Sequence, residues 1–369
     1  MRPTGSFWRQ FDFILFGAAI LLTVIGVLMI RSATLGAIDP DLINRVPDQI
    51  RFAILGFGLL LVLAALDYKL LGGLHWWLYG LMIILLVLVK LFGVEGDGGA
   101  QSWLNVGIRI QPSEIAKVLI IITLGMMLAR NYESIGKLST LGKSMIHIGI
   151  PAILIFSQPD LGMTIVFAVL WLTMVWAAGL RLKHIAIAGL AALLVAPIAV
   201  PVAWSQMEPY QRSRITSFIF PESDRDAYYN ILQARISIGS GGLLGKGYAN
   251  GPQNTGRFLR VRHTDFIFSV ISEEFGFVGS VAVMALLGLV IFRILRGARR
   301  AADPFGALVC YGVAAFIFFQ TFVSIGMNLS LMPVTGLTLP FISSGGTSLL
   351  STLAGIGLAE SVIMRGRKA

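Results

Sequence analysis

The sequence predicts an all-α polytopic membrane protein with ten transmembrane helices and one large extracytoplasmic loop. Three observations predict it. Of the 369 residues, 56% are hydrophobic and only 13% charged, and the mean hydropathy is +0.80, which leaves too few ionisable groups to coat a soluble globule. The apolar residues gather into stretches near the roughly 20 that cross ~30 Å of hydrocarbon, too long and too numerous for buried core helices. Backbone polar groups in hydrocarbon must be satisfied, and helices rather than a barrel do the crossing here. The single cysteine, Cys310, lies in an apolar run, so neither a disulfide framework nor a cysteine metal site is available, and four scattered histidines add no zinc motif.

In chain order the spans are expected over Phe13–Ile30, Phe52–Leu66, Leu74–Phe92, Ile115–Leu128, Ile146–Phe156, Leu161–Ala178, Ile185–Trp204, Phe266–Leu295, Ala307–Met327 and Leu339–Ile363. The stretch over Phe266–Leu295 is long enough to tilt or protrude. An even count puts both termini on one side, and residues 1–369 form one integral membrane domain. Lysine and arginine set the orientation. Arg2 and Arg9, Lys69, Arg130 to Lys143, Arg181 and Lys183, Arg293 to Arg300 and Arg365 to Lys368 all fall on the side of the termini, which is therefore cytoplasmic. No small-residue cleavage site follows the N-terminal arginines, so the first span reads as an anchor. The net charge of +10 is explained by this asymmetry, and no nucleic-acid partner is implied.

One connection breaks the pattern. Residues 205–262 run outside the membrane for about 58 residues, a length that is usually functional or folded. Arg212, Arg214, Arg225, Arg235, Lys246, Arg257, Arg260 and Arg262 there outnumber Glu208, Glu222, Asp224 and Asp226. A basic outer loop wants an anionic partner, and phosphate suits arginine's forked donors; charges paired among themselves are the competing reading. Glycines 239, 241, 242, 245, 247 and 251 within it permit positive φ and close backbone approach to a ligand, or describe a flexible loop. The segment is no Walker A motif, since its lysine is followed by glycine and not Ser or Thr.

The polar sites lie at span ends. His263-Thr264-Asp265 leads into a stretch carrying Glu273 and Glu274, and ionisable groups there are costly and functional by default. Helical spacing puts Asp265, Ser269, Ser272, Gly276 and Gly279 on one face, with Glu273 roughly 12 Å below Asp265. Capping of the helix start by Thr264 and Asp265 competes with a catalytic role. Gln111-Pro-Ser-Glu-Ile-Ala-Lys117 opens another span with Pro112 in the first turn and Glu114 at the positive end. Lys117 there can pair with Glu114 at i+3, contact substrate, or pair with Asp265, Glu273 or Glu274. Trp103 suits an outer interfacial belt, Asp160 a tight turn or cap, and the hydroxyl-rich start from Leu339 to Ser348, including Ser343, a cavity wall.

These motifs, together with Gln158-Pro-Asp-Leu-Gly162, Tyr229-Asn-Ile-Leu-Gln233 and Leu339-Pro-Phe-Ile-Ser343, resemble the SEDS family of cell-wall polymerases, which includes RodA, FtsW and the sporulation homologue. The resemblance covers essentially the whole chain. Gly247-Tyr-Ala-Asn-Gly-Pro-Gln253 and Leu331-Met-Pro-Val-Thr-Gly336 look more like RodA, the elongation member. The resemblance implies the SEDS fold and a peptidoglycan glycosyltransferase that polymerises lipid II at the outer face of the bacterial cytoplasmic membrane. The implied partners are a class B penicillin-binding protein, which cross-links the product, and the elongation machinery. The family's essential aspartate maps onto Asp265, as base or as metal ligand, with His263, Thr264, Glu273 and Glu274 in support. An α-linked donor and a β-1,4 product imply an inverting single displacement. It needs a carboxylate near the acceptor hydroxyl and cations near the pyrophosphate. Lys117, Arg212, Arg214, Arg235 or a divalent cation, magnesium or manganese, would supply the positive charge; Gln111, Glu114, Trp103, Asp160 and Ser343 complete the expected substrate-facing set. The chain departs from the family pattern at Arg260-Val261, Ser344 and Ser102. Two rival readings are a transporter that flips lipid II and a non-catalytic scaffold for a penicillin-binding protein.

Overall fold

The computed structural model describes residues 10–366 apart from 38, 95–101, 106, 108, 182, 185, 187–188, 190–193, 195–196, 198–199, 202–203 and 221–224. The chain is a helical bundle, and its first half contains α1 (Phe13–Thr34), α2 (Pro40–Ile43), α3 (Arg45–Ala65), α4 (Tyr68–Gly73) and α5 (His75–Phe92). A small antiparallel hairpin, β1 (Leu104–Asn105) with β2 (Arg109–Ile110), precedes α6 (Pro112–Arg130), α7 (Leu138–Phe156) and α8 (Leu161–Ala177). The expected loop is largely helical, with α9 (Pro209–Ile219), α10 (Arg225–Gly241) and α11 (Pro252–Thr255). After it come α12 (Ile267–Arg300), α13 (Pro304–Asn328) and α14 (Gly346–Met364). Among the described residues, eight helices are long and apolar enough to cross a membrane, and α8 is a shorter apolar helix. The span expected over 185–204 lies largely outside the described residues.

The core sits around α14. In its most apolar window 89% of residues are buried, against 72% in α6, 61% in α13 and 22% in α3 and α5, so the polar helix starts of α6 and α14 are enclosed by protein while α3 and α5 present their outer faces to lipid. Close helix approach uses small residues: a Cβ on Gly357 of α14 would stand 2.6 Å from the Leu60 carbonyl of α3.

The starts of α3, α7 and α14 differ from the apolar reading by several residues and α12 is interrupted, each for a local reason. α3 begins at Arg45, because Asp48 and Arg51 pair at i,i+3 and let the helix extend beyond its apolar stretch. α7 begins at Leu138, since Ser144 accepts from Trp171 Nε1 and the His147 ring meets Thr123 Oγ1, so polar residues are satisfied inside the bundle. α14 starts at Gly346 and not Leu339: Phe341 has φ 67°, and Ser343 Oγ, Ser344 N–H and Gly345 N–H donate to Thr264 O, His263 O and Gln49 Oε1. The long helix expected from Phe266 is interrupted at Gly276 (φ 65°, ψ −160°), a conformation open essentially to glycine alone.

Candidate active site

α6, α8, α12 and α14 all begin at the end of the bundle that carries the large loop, and they place their positive helix ends there. The turn 261–266 delivers the chain into α12, whose N-cap is Phe266, so Asp265 stands just outside the helix, half-buried. Carbonyls in such a turn need partners from elsewhere. His263 O accepts from the Ser344 N–H at 2.9 Å, Thr264 O from Ser343 Oγ at 2.8 Å and Asp265 O from Asn328 Nδ2 at 2.8 Å. Three consecutive carbonyls are thus fixed by α13 and the 339–345 turn. The bond at Ser344 is made by its main chain, so that departure from the family pattern leaves it intact.

Two residues in this support were not singled out by the sequence. Asn328 is fully buried; its Oδ1 accepts from Ser269 N–H (3.1 Å) and Ser269 Oγ (2.6 Å), while Nδ2 also donates to Ser324 O at 2.7 Å. It therefore caps α12 from the end of α13. Gln49 of α3 is also buried; its Nε2 donates to Ser343 O (3.3 Å) and its Oε1 accepts from the Gly345 N–H (3.2 Å). The signal that would have found them is a lone amide bordering an apolar run, which must find partners inside the bundle.

The starts of α6, α8 and α14 form a second, adjoining group. Gln111 N–H donates to Thr347 Oγ1 at 3.3 Å and its Nε2 to Asp160 Oδ2 at 3.0 Å; Ser113 Oγ adds a bond to the same oxygen at 3.3 Å. Asp160 also caps α8 through Met163 N–H at 3.0 Å. Burial pushes its carboxyl above the usual range despite these bonds. Deeper, the fully buried Lys117 Nζ lies 2.6 Å from Glu114 Oε2, 3.1 Å from Gln320 Oε1 and 4.4 Å from the Phe316 ring centroid. Ser351 Oγ also donates to Glu114 Oε2, at 2.7 Å. Of the pairings the sequence allowed, the i,i+3 one is formed.

Glu273 and Glu274, both fully buried, tie the large loop to the bundle. Glu273 accepts from Gln253 N–H (2.7 Å) and Asn254 N–H (3.1 Å) at the start of α11. Glu274 Oε1 accepts from Ser32 Oγ and from Asn254 Nδ2 (2.8 Å). The break at Gly276 frees helix groups that the loop then takes. Lys246 N–H donates to Glu273 O and Gly247 N–H to Glu274 O, both at 2.9 Å; Phe277 N–H donates to Gly242 O at 2.9 Å and Val278 N–H to Leu243 O at 3.1 Å. Side chains at Gly241 or Gly245 would collide with the Ser272 and Glu274 carbonyls. These two glycines thus serve backbone approach to α12.

The basic residues are dispersed. Arg262 is buried and donates from Nε to Ala33 O (2.6 Å) and from a guanidinium NH to Leu259 O (3.2 Å), closing the C-terminus of α1; burial lowers its pKa from the usual arginine value. Arg212 donates to Ser205 O at 3.0 Å. Arg214, on the same helix, packs its guanidinium against Gly336, and Arg235 is exposed on α10. Trp103 is half-buried and bridged to Val94 just before the β1–β2 hairpin. The structure thus brings Thr264, between His263 and Asp265, to Ser343, and Gln111 to Asp160. Glu273 and Glu274 belong to the loop clamp, while Arg212 bonds Ser205 and Arg235 is exposed on α10. Among the described residues no group of three or more His, Cys, Asp or Glu side chains is placed to hold a metal.

Residues 12–368 match the model of the family described as "Cell cycle protein", FTSW_RODA_SPOVE. The chain is 37% identical over 360 residues to the peptidoglycan glycosyltransferase MrdB of Escherichia coli (strain K12), covering 97% of this chain and 95% of that one. It is 30% identical over 435 residues to the peptidoglycan glycosyltransferase RodA of Treponema pallidum (strain Nichols), covering 99% and 100%. Among solved structures it superposes on a chain of a peptidoglycan synthase complex in which polymerization and crosslinking are coordinated (TM-score 0.82, 31% identity, 97% and 99% covered). It also superposes on the rod shape determining protein RodA of Thermus thermophilus (TM-score 0.71, 29% identity, 97% and 98% covered).

Proposed function

The chain belongs to the FtsW, RodA and SpoVE family of cell cycle proteins, and from that premise we propose that Asp265 is the base of a peptidoglycan glycosyltransferase that polymerises lipid II. The enzyme class follows from relatives of nearly full length that carry that name. The observation that carries the assignment of Asp265 is the fixing of three consecutive carbonyls, 263 to 265, which presents one half-buried carboxylate from a held turn at the end of the bundle where α6, α8, α12 and α14 begin.

Asp265 takes the proton of the acceptor hydroxyl as that oxygen attacks the anomeric carbon, and the lipid-linked pyrophosphate departs from the opposite face with inversion. A pyrophosphate needs charge stabilisation more than a proton. The helix N-termini of α6, α12 and α14, with Arg214 beside the 331–336 connection, favour an anion at this end. In the alternative role Asp265 ligates a divalent cation, magnesium or manganese, which would neutralise the departing pyrophosphate when bound. A single carboxylate fits that role, because magnesium is commonly held by one or two carboxylates with water and substrate phosphates.

The basic short connections put the termini in the cytoplasm and the site at the outer face. There a class B penicillin-binding protein cross-links the product, with the assembly acting in cell elongation as RodA-like motifs suggest. The test is polymer formation from labelled lipid II by purified protein. Asp265→Asn keeps size and removes basicity, so the rate should fall by at least about 10²-fold with folding intact. Polymer at near wild-type rate from well-folded Asp265→Asn would overturn both roles, and no polymer from wild type would favour the transporter or the scaffold.

A further inference from the structure

We propose that Asn328 and Gln49 are positioning residues for the reaction: they touch no part of the reacting groups and act by holding the main chain on which Asp265 stands. The inference rests on the reading of Asp265 as the catalytic carboxylate. The turn 261–266 is neither helix nor strand; its internal bonds run from Thr264 and Phe266 N–H to Val261 O, at 3.3 Å each, and the carbonyls of 263–265 are held from other elements. A base works only within about 2.6–3.2 Å of the proton it takes, and misplacement by an ångström costs on the order of 10²-fold in rate.

Asn328 has the chemistry of a fixed clamp. Both its amide atoms make two hydrogen bonds, Oδ1 to Ser269 N–H and Oγ, Nδ2 to Asp265 O and Ser324 O. It locks the α12 start and the Asp265 carbonyl to the same side chain. The Ser324 carbonyl belongs to its own helix, so the clamp is referenced to α13 and not to a loop. Gln49 acts one step further out. Its amide spans Ser343 O and Gly345 N–H, and the residues so fixed, Ser343 and Ser344, hold Thr264 O and His263 O. α3 and α13 thus hold the 263–265 segment from two sides, through side chains that are both buried.

The variants are Asn328→Leu, which has the same branching, excludes a substituting water and makes no hydrogen bond, and Gln49→Met, nearly isosteric and apolar. Initial polymerisation rates against lipid II concentration would be measured for each, alone and combined with Asp265→Asn, with the melting temperature of each purified protein alongside. Expected is a fall of about 10-fold or more in kcat for Asn328→Leu with KM within about twofold, a smaller fall for Gln49→Met, and no further loss when either is added to Asp265→Asn. The acid limb of the kcat profile should stay at the wild-type pH, because the base is displaced and not replaced. A kcat per folded molecule equal to wild type, with only the melting temperature lowered, would overturn the inference and leave both residues as structural caps; full additivity with Asp265→Asn would overturn it as well. If Asn328→Leu does not fold, Gln49→Met, remote from α12, decides alone. Should Asp265→Asn itself retain activity, the assignment of the base fails, a result separable from retained activity in the Asn328 or Gln49 variants when Asp265→Asn is inactive.

Discussion

At Lys117 a single ammonium is fully buried, bonded to Glu114 and Gln320 and set over the Phe316 ring. Removing one member of such a pair leaves the other charge buried and unpaired, at about 3–5 kcal/mol. Lys117→Ala should therefore lower the melting temperature and the yield together with activity, whereas Asp265→Asn should lower activity alone. An unchanged melting temperature and full activity for Lys117→Ala would show that Glu114 finds another partner. The Glu114–Lys117 pair was legible from its i,i+3 spacing, and so was the place of Asp265 as a carboxylate just ahead of an apolar helix. Asn328 and Gln49 were not, because an amide carries no charge to flag it and its partners lie far away in sequence, 296 residues away for Gly345.

The decisive element is α12, whose 34 residues are divided by Gly276. A Cβ there would face Leu243 O at 2.6 Å, and φ 65° with ψ −160° costs a non-glycine residue of order 1–3 kcal/mol before any collision. Gly276→Ala should lower the melting temperature and open the 242–256 segment to protease. Gly288→Ala, lower on the same helix with nothing within 4 Å of its Cβ position, should be neutral or stabilising by up to about 1 kcal/mol; equal effects would refute a role for the break. At the other end of the bundle Asp303 caps α13 through Gly306 N–H (2.8 Å), accepts from the Tyr68 hydroxyl (2.7 Å) and pairs with Lys69 at 3.1 Å. Burial raises its carboxyl pKa, but the bonds from Gly306, Tyr68 and Lys69 bring it below the ordinary value. A depressed carboxylate stabilises the fold above its unfolded pKa, about 3.9, and loses that contribution as pH falls through the folded value. The melting difference between wild type and Asp303→Asn should therefore be full at neutral pH and shrink only in strong acid; a difference that grows in acid would contradict this.

Across the whole molecule, the net charge of +10 is divided between the short connections on the side of the termini and the large loop. Within the loop the structure separates Arg214, packed against Gly336 of the 331–336 connection, from Arg235, exposed on α10. If the loop's charge serves the donor pyrophosphate, Arg214→Gln should weaken lipid II use several-fold, raised salt should mimic part of the loss, and lysine should restore only part of it. Arg235→Gln should matter less. Rate curves for the two variants at low and high salt decide this, and identical curves would assign the loop's charge to partner docking. By itself the sequence determined that the chain is an all-α membrane protein, the order of its apolar helices and the polar motifs near their starts, because composition, apolar run length and helical spacing are local properties. Only the tertiary structure decided that the loop glycines serve the backbone of α12, that Glu273 and Glu274 clamp a loop, and that Asn328 and Gln49 hold the segment of Asp265. Each of those outcomes is a hydrogen bond between residues remote in sequence, and such partners are fixed by how helices pack, which no single stretch of the chain encodes.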